Sequence, residues 1–153
     1  MFFLRASTGA VDAGVNYAAG CVGHVDTGAG SDNVSIKRCV NSGAVSGTMA
    51  IGGIVGGTDY SSGTVNIDAN TNLGAVTGSA TRDEIVGYEN VSTSTLTNNY
   101  FDGVLCSGCA NDDSAVTAAT ATFHLKSNPP FNGNGYDFVG VWKENSGSLP
   151  TLL

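Results

Sequence analysis

The chain has 153 residues, 22 of them glycine, with 13 acidic and 6 basic residues, a net charge of −7 and only 12% charged residues. That length suits one domain, the apolar content and regular patterning are unlike a disordered chain, and the scarcity of Lys and Glu is unlike a helical one. Lys37-Arg38 is the only basic pair, so there is no stripe to contact phosphates, which argues against nucleic acid as a partner. No run of about 20 apolar residues occurs, so no helix-forming segment spans a membrane.

Met1-Phe2-Phe3-Leu4 is apolar but stops at Arg5, too short for a secretory core segment. A repeat begins soon after, near Gly9, with no visible cap before it. Because a stacked-repeat protein shields its first unit, the chain is expected to be the C-terminal piece of a longer protein or a truncated reading frame.

The repeat itself is explicit. Gly43-Ala44-Val45-Ser46-Gly47 returns 31 residues later as Gly74-Ala75-Val76-Thr77-Gly78, and Ile54-Val55-Gly56 returns at the same spacing as Ile85-Val86-Gly87. A looser copy, Gly9-Ala10-Val11 and Gly20-Cys21-Val22-Gly23, precedes them at offsets of 34 and 33. A partial fourth runs from Leu96 to Leu105. One supersecondary unit stacked on copies of itself follows.

In the second copy the apolar runs are Gly43–Val45, Ile51–Val55 and Val65–Ala69, short and bounded by turn residues. Such runs predict strands, three per repeat of about 31 residues. The expected fold class is all-β: a right-handed parallel β-solenoid, or β-helix, of about three coils, with handedness taken from the crossover rule.

Equivalent residues should stack, Val34 on Val65, Ile36 on Ile67 and Ile54 on Ile85. Val65, Ile67 and Ala69 should face inward, and Asn66, Asp68 and Asn70 outward, with Lys37 and Asp68 as exposed neighbours. The alternation does not assign a core face to Ile51–Val55. Asn41 and Asn72 share a corner position where stacked amides would hydrogen-bond to one another; ordinary Asn-Gly turn chemistry is the competing account. Gly43 and Gly74 then suit a turn with positive φ.

After Leu105 the repeat fades. Residues 1–110 read as the solenoid and 111–153 as a short helix and capping segment. Asp112-Asp113-Ser114 would cap a helix over Thr117–Lys126, ended by Pro129-Pro130. Tyr136–Leu152 would close the open end of the last coil, with Trp142 and Phe138 on Leu105 or its neighbours.

Residue chemistry is sparse. Cys21 aligns with Ile54 and Ile85 and reads as a small core hydrophobe. Cys39 aligns with Asn70 and reads as a stacked side chain, with pairing to Cys21 the less favoured alternative. Cys106-Ser-Gly-Cys109 suits a small disulfide loop or free thiols; with His124 it has half the ligands of a zinc site. His24 reads as a rim residue far from His124. Asp83 and Glu84 are strand neighbours, hence on opposite faces and no catalytic pair. Asp112 and Asp113, with Asn111 and Asp102, are economically explained as a helix cap rather than a Ca²⁺ site. No catalytic, cofactor-binding or metal residue is assigned.

Gly52-Gly53-Ile54-Val55-Gly56, Cys39-Val40-Asn41-Ser42-Gly43-Ala44-Val45 and Asn99-Tyr100-Phe101-Asp102 resemble the GLUG-motif β-solenoid repeats of bacterial surface and secreted proteins. The ending, from Thr117-Ala118-Ala119-Thr120 through Gly135-Tyr136-Asp137-Phe138 and Val141-Trp142 to Ser148-Leu149-Pro150-Thr151-Leu152, resembles that family's C-terminal close. Asp83 and Glu84 depart from it, standing where Gly-Gly is usual, and no export signal precedes the repeats. The resemblance implies an extracellular or cell-surface, adhesin-like module with host or environmental glycans or proteins as partners, and no catalytic residues. The alternative is a fragment of a carbohydrate-active β-helix enzyme, a polysaccharide lyase or hydrolase.

Overall fold

The computed structural model describes residues 5–14, 16–27, 33–59, 63–79, 81–90, 94–101, 116–118, 131, 136–145 and 148–153. Its described residues form strands and turns, with no helix among them. The chain makes the same circuit repeatedly. The first circuit holds β1 (Arg5–Ser7), β2 (Val11–Ala13), β3 (Tyr17–Ala19), β4 (Val22–Asp26) and β5 (Asn33–Lys37). The second holds β6 (Cys39–Asn41), β7 (Val45–Gly47), β8 (Ala50–Gly52), β9 (Val55–Asp59) and β10 (Thr64–Asp68). The third holds β11 (Thr71–Asn72), β12 (Val76–Gly78), β13 (Arg82–Asp83), β14 (Glu89–Asn90) and β15 (Ser94–Thr97). Then come β16 (Asn99–Phe101), β17 (Val116–Ala118), β18 (Trp142–Asn145) and β19 (Ser148–Leu152).

Strands β1 to β17 pair in parallel from one circuit to the next, giving a five-stranded sheet β1-β6-β11-β16-β17 and four three-stranded ones, while β18 and β19 form a separate antiparallel pair. The expected register holds: Val34 lies opposite Val65, Ile36 opposite Ile67, and Lys37 opposite Asp68. Lys37 Nζ sits 3.6 Å from Asp68 Oδ2 at the surface. Thr117 and Ala118, expected to open a helix, instead pair with Tyr100 and Phe101. The remainder of the expected helix lies outside the described residues.

Five short strands per circuit replace the expected three, because Ile51–Val55 is broken in two and Cys39–Asn41, outside the expected runs, forms a strand of its own. Ile51–Val55 is not one strand: β8 ends at Gly52 and β9 starts at Val55. Ile51, Ile54 and Val55 are therefore all fully buried, Ile51 against Ala18, Val45 and Val76, and the other two in the main core with Ile36, Val65, Ile67 and Ile85. A break between strands frees both parities to face inward, which is why alternation assigned no face.

A second bend lies at Arg38, Ala69 and Asn98, stacked residues with φ of 56°, 57° and 53°. This left-handed corner turns the residue that follows inward. Asn70, expected outside, is completely buried for that reason, as is Asn99. Gly43 and Gly74 lack the positive φ expected of them; a β-carbon there would run into the carbonyls of Gly9 and Gly43 in the preceding circuit. Close stacking, not backbone handedness, is what calls for glycine.

Two asparagine ladders hold the corners. Asn41 Nδ2 donates to Asn72 Oδ1 at 2.9 Å, and each side chain bridges the turn ahead of it, with Gly43 N and Gly74 N donating back to Asn41 and Asn72 Oδ1 at 3.1 and 3.2 Å. In the second ladder, Asn70 Oδ1 accepts from Cys39 N at 2.9 Å, while its Nδ2 donates to Ile36 O and Asn99 Oδ1, both at 3.0 Å. Asn99 Nδ2 repeats the pattern one layer on, donating to Ile67 O at 2.8 Å. Turn chemistry and stacked amides, offered as competing accounts, operate together.

Cys21 and Cys39 form a disulfide with their Cα atoms 6.7 Å apart, contrary to the expectation of an unpaired core cysteine. Cys21 does occupy the Ile54/Ile85 column, where its N–H donates to Ile54 O. That column and the one holding Cys39 approach each other across the core, a relation that stacking register does not express.

Among the described residues, the C-terminal segment packs on a flank of the stacked sheets. Val40 faces outward from β6, and with Leu73 it is buried beneath Phe131, Tyr136 and Trp142, with Phe138 and Val141 packed alongside. Tyr136 Oη donates to Ala69 O at 2.7 Å, and burial pushes its phenol above the usual range. Asp137 Oδ1 accepts from Val139 and Gly140 N at 2.8 and 3.0 Å, turning the chain into the β18–β19 hairpin. Those backbone donors hold its carboxyl below its ordinary value. Large outward apolar groups at Val40 and Leu73 set where the aromatics go; Leu105 lies outside the described residues.

Candidate functional site

Outward positions of the β4–β9–β14 sheet carry the best-formed polar cluster among the described residues. In register, His24 lies opposite Gly57 and Asp26 opposite Asp59. Tyr88 stands one layer further on, its carbonyl accepting from Thr58 N at 2.9 Å. Gly57 thus leaves a gap between His24 and Tyr88. The ring of Tyr17, from β3, fills it, lying where a β-carbon on Gly57 would be. Tyr17 and His24 stack with centroids 4.1 Å apart and planes at 7°. Tyr17 Oη donates to Asp59 Oδ2 at 3.0 Å, and His24 Nε2 lies 3.2 Å from the same oxygen. The hydrogen bond to Asp59 raises the phenol pKa, since ionising it would set two negative charges together. The stack covers the facing ring surfaces, and the His24 and Asp59 side chains beside it are about a third exposed.

His24, read as a rim residue, is thus held by a stack and a carboxylate. Tyr17 was missed. Its signal was indirect: the 33-residue offset sets Gly57, without a side chain, in the column of His24, which leaves room for an aromatic from the neighbouring strand.

Asp83 and Glu84 are brought together, contrary to expectation. β13 ends at Asp83, so the two-residue alternation stops there and Glu84 lies in the following bend. The carboxyls are 7% and 4% exposed and hydrogen-bond to each other. Burial raises Glu84 above its ordinary value of 4.5. Glu84 Oε2 has no partner, and Asp83 Oδ1 accepts from Ile85 N at 3.2 Å. So deep a pair caps its own turn and offers no opening to substrate. Asp102, Cys106, Cys109, Asn111, Asp112, Asp113 and His124 lie outside the described residues. Among the described residues no group of three or more His, Cys, Asp or Glu side chains is placed to hold a metal, and no helix is long and apolar enough to cross a membrane.

Comparison of the chain with family models, with curated proteins and with solved structures finds no match.

Proposed function

We propose that the chain is a right-handed parallel β-solenoid module of the GLUG-repeat type, acting as a non-catalytic stalk, adhesive or ligand-display segment of an exported or cell-surface bacterial protein. The observation that carries this reading is the in-register stacking of successive circuits, Val34 on Val65 and Ile36 on Ile67, followed in the next layer by Ser94 on Val65 and Leu96 on Ile67. Such stacking sets outward side chains about 4.8 Å apart along each column, a rigid surface suited to display. The Cys21–Cys39 disulfide supports an oxidising compartment. The alternative, a polysaccharide lyase or hydrolase, needs acid and base groups at an open face; the Asp83–Glu84 pair is closed off. The test is to incubate the chain with soluble polysaccharides and follow chain length and new reducing or unsaturated ends. Intact polymers are expected, and turnover would overturn the reading.

A further inference from the structure

We propose that two copies of this chain join end to end through their first circuits, an interface that goes beyond the display reading above and does not depend on what the surface displays. The two ends of the stack are unlike. Val11, Val45 and Val76 form one column, and Val22, Val55 and Val86 another. The middle and far members of both are buried, while Val11 and Val22, with Cys21 and Val34, are only partly covered. Each of β1 to β5 ends its sheet, bonded on one side only among the described residues. An unpaired edge over half-covered apolar columns is a template for another strand. Glycine marks the same end. A β-carbon on Gly43 or Gly74 would meet the carbonyl of Gly9 or Gly43 in the circuit before, whereas one on Gly9 would meet nothing within 4 Å. Gly9 leaves open the room that its counterparts give to a neighbouring backbone.

Charge, sequence and size favour a second copy as the occupant. Arg5, Lys37 and Arg38 balance Asp12, Asp26 and Asp32, so residues 5–38 carry no net charge and the rest of the chain carries all of the −7. Two copies meeting at this end avoid the repulsion that the acidic remainder would set between them. β5 is also self-complementary. Antiparallel pairing about Ser35 puts Val34 opposite Ile36 of the second copy on the inner side, and Asn33 opposite Lys37 of the second copy on the outer side, with no like charges facing. The five edge strands present three, three, three, five and five residues, close to the roughly 20 residues a side of a standard interface. A two-fold pair closes on itself and covers both first circuits at once.

The experiment is sedimentation velocity of the full chain over a concentration series, alongside Gly9→Arg, Ser35→Arg and Ser35→Asp in the first circuit, with Thr77→Arg, an exposed change on β12, as control. Thermal melts at the lowest concentration establish that each variant folds. Gly9→Arg has open space for its side chain and keeps the test running even where a Ser35 variant melts early. Ser35 faces itself across the two-fold axis, so a charge placed there meets its own copy. The expected result is a monomer that becomes a dimer, and nothing larger, as concentration rises. Dimer affinity should fall about tenfold or more in Gly9→Arg, Ser35→Arg and Ser35→Asp and stay unchanged in Thr77→Arg. It should return when the two Ser35 variants are mixed, since a two-fold contact then sets opposite charges together. A monomer at every concentration overturns the proposal, as does a dimer that the first-circuit variants leave intact. Oligomers that grow beyond two, or Ser35 variants that mixing does not rescue, overturn the two-fold pairing.

Discussion

Replacing Asn70 by Ala tests whether the corner ladder holds the layers together. The side chain is completely buried. Its loss leaves Cys39 N–H without its acceptor, and it removes the amide donor from Ile36 O and one of the donors to Asn99 Oδ1. Each buried polar group left unsatisfied costs about 1–3 kcal/mol. The Cys39 N–H bears that cost in full, because it has a single hydrogen to donate. The two acceptors bear part of it, since Asn70 N still donates to Asn99 Oδ1 at 3.0 Å. The sum is about 3–5 kcal/mol, a large share of the stability of a small domain. Urea unfolding followed by far-ultraviolet circular dichroism reads it as a fall in midpoint at unchanged slope. Thr77→Ala, an exposed change on β12, should stay within about 0.5 kcal/mol of the parent. An Asn70→Ala chain within 1 kcal/mol of the parent, by this same ~1–3 kcal/mol yardstick, would refute the ladder as a source of stability and leave it a by-product of turn geometry.

Reducing the Cys21–Cys39 bridge, or Cys21→Ser with Cys39→Ser, should lower stability by about 2–4 kcal/mol in the same assay; a reductant-insensitive midpoint would mean that the two cysteines are not bridged. Trp142→Ala should cost about 3–5 kcal/mol and uncover Val40 and Leu73, which sedimentation velocity would register as self-association; a monomer with parental melting would make the aromatic segment dispensable. The last prediction concerns pH. Because burial raises Glu84 above 4.5 in the folded chain, its contribution is fully present below that value and is lost as pH rises through the folded value. Asp68 runs the other way: burial opposes ionisation, but the hydroxyl of Thr97, the amide of Asn98 and the Lys37 charge outweigh it and hold the pKa below 3.8, so its contribution is lost only as pH falls through that lower value. Glu84→Gln should therefore gain melting temperature over the parent increasingly as pH rises above 4.5. A constant difference across that range would show that the carboxyl is not buried in the folded chain.

Much of the architecture was legible in the sequence, because a stacked repeat writes its own register. A 31-residue spacing places Val34 on Val65 and Lys37 beside Asp68, and nothing beyond the alignment is needed to say so. The Asn41–Asn72 contact was legible for the same reason. What alignment along the stack does not contain is the path within one layer. Whether Ile51–Val55 is one strand or two, whether Asn70 turns inward after Ala69, and that Glu84 leaves the strand and meets Asp83, all depend on bends set by backbone dihedrals at particular residues. The Cys21–Cys39 bridge, the Tyr17 ring over Gly57 and the aromatic segment against Val40 and Leu73 are contacts between different columns. Repetition constrains neighbours one layer apart, since identical residues must stack on themselves. It leaves contacts across a layer undetermined, and those follow only from how the tertiary fold packs its core.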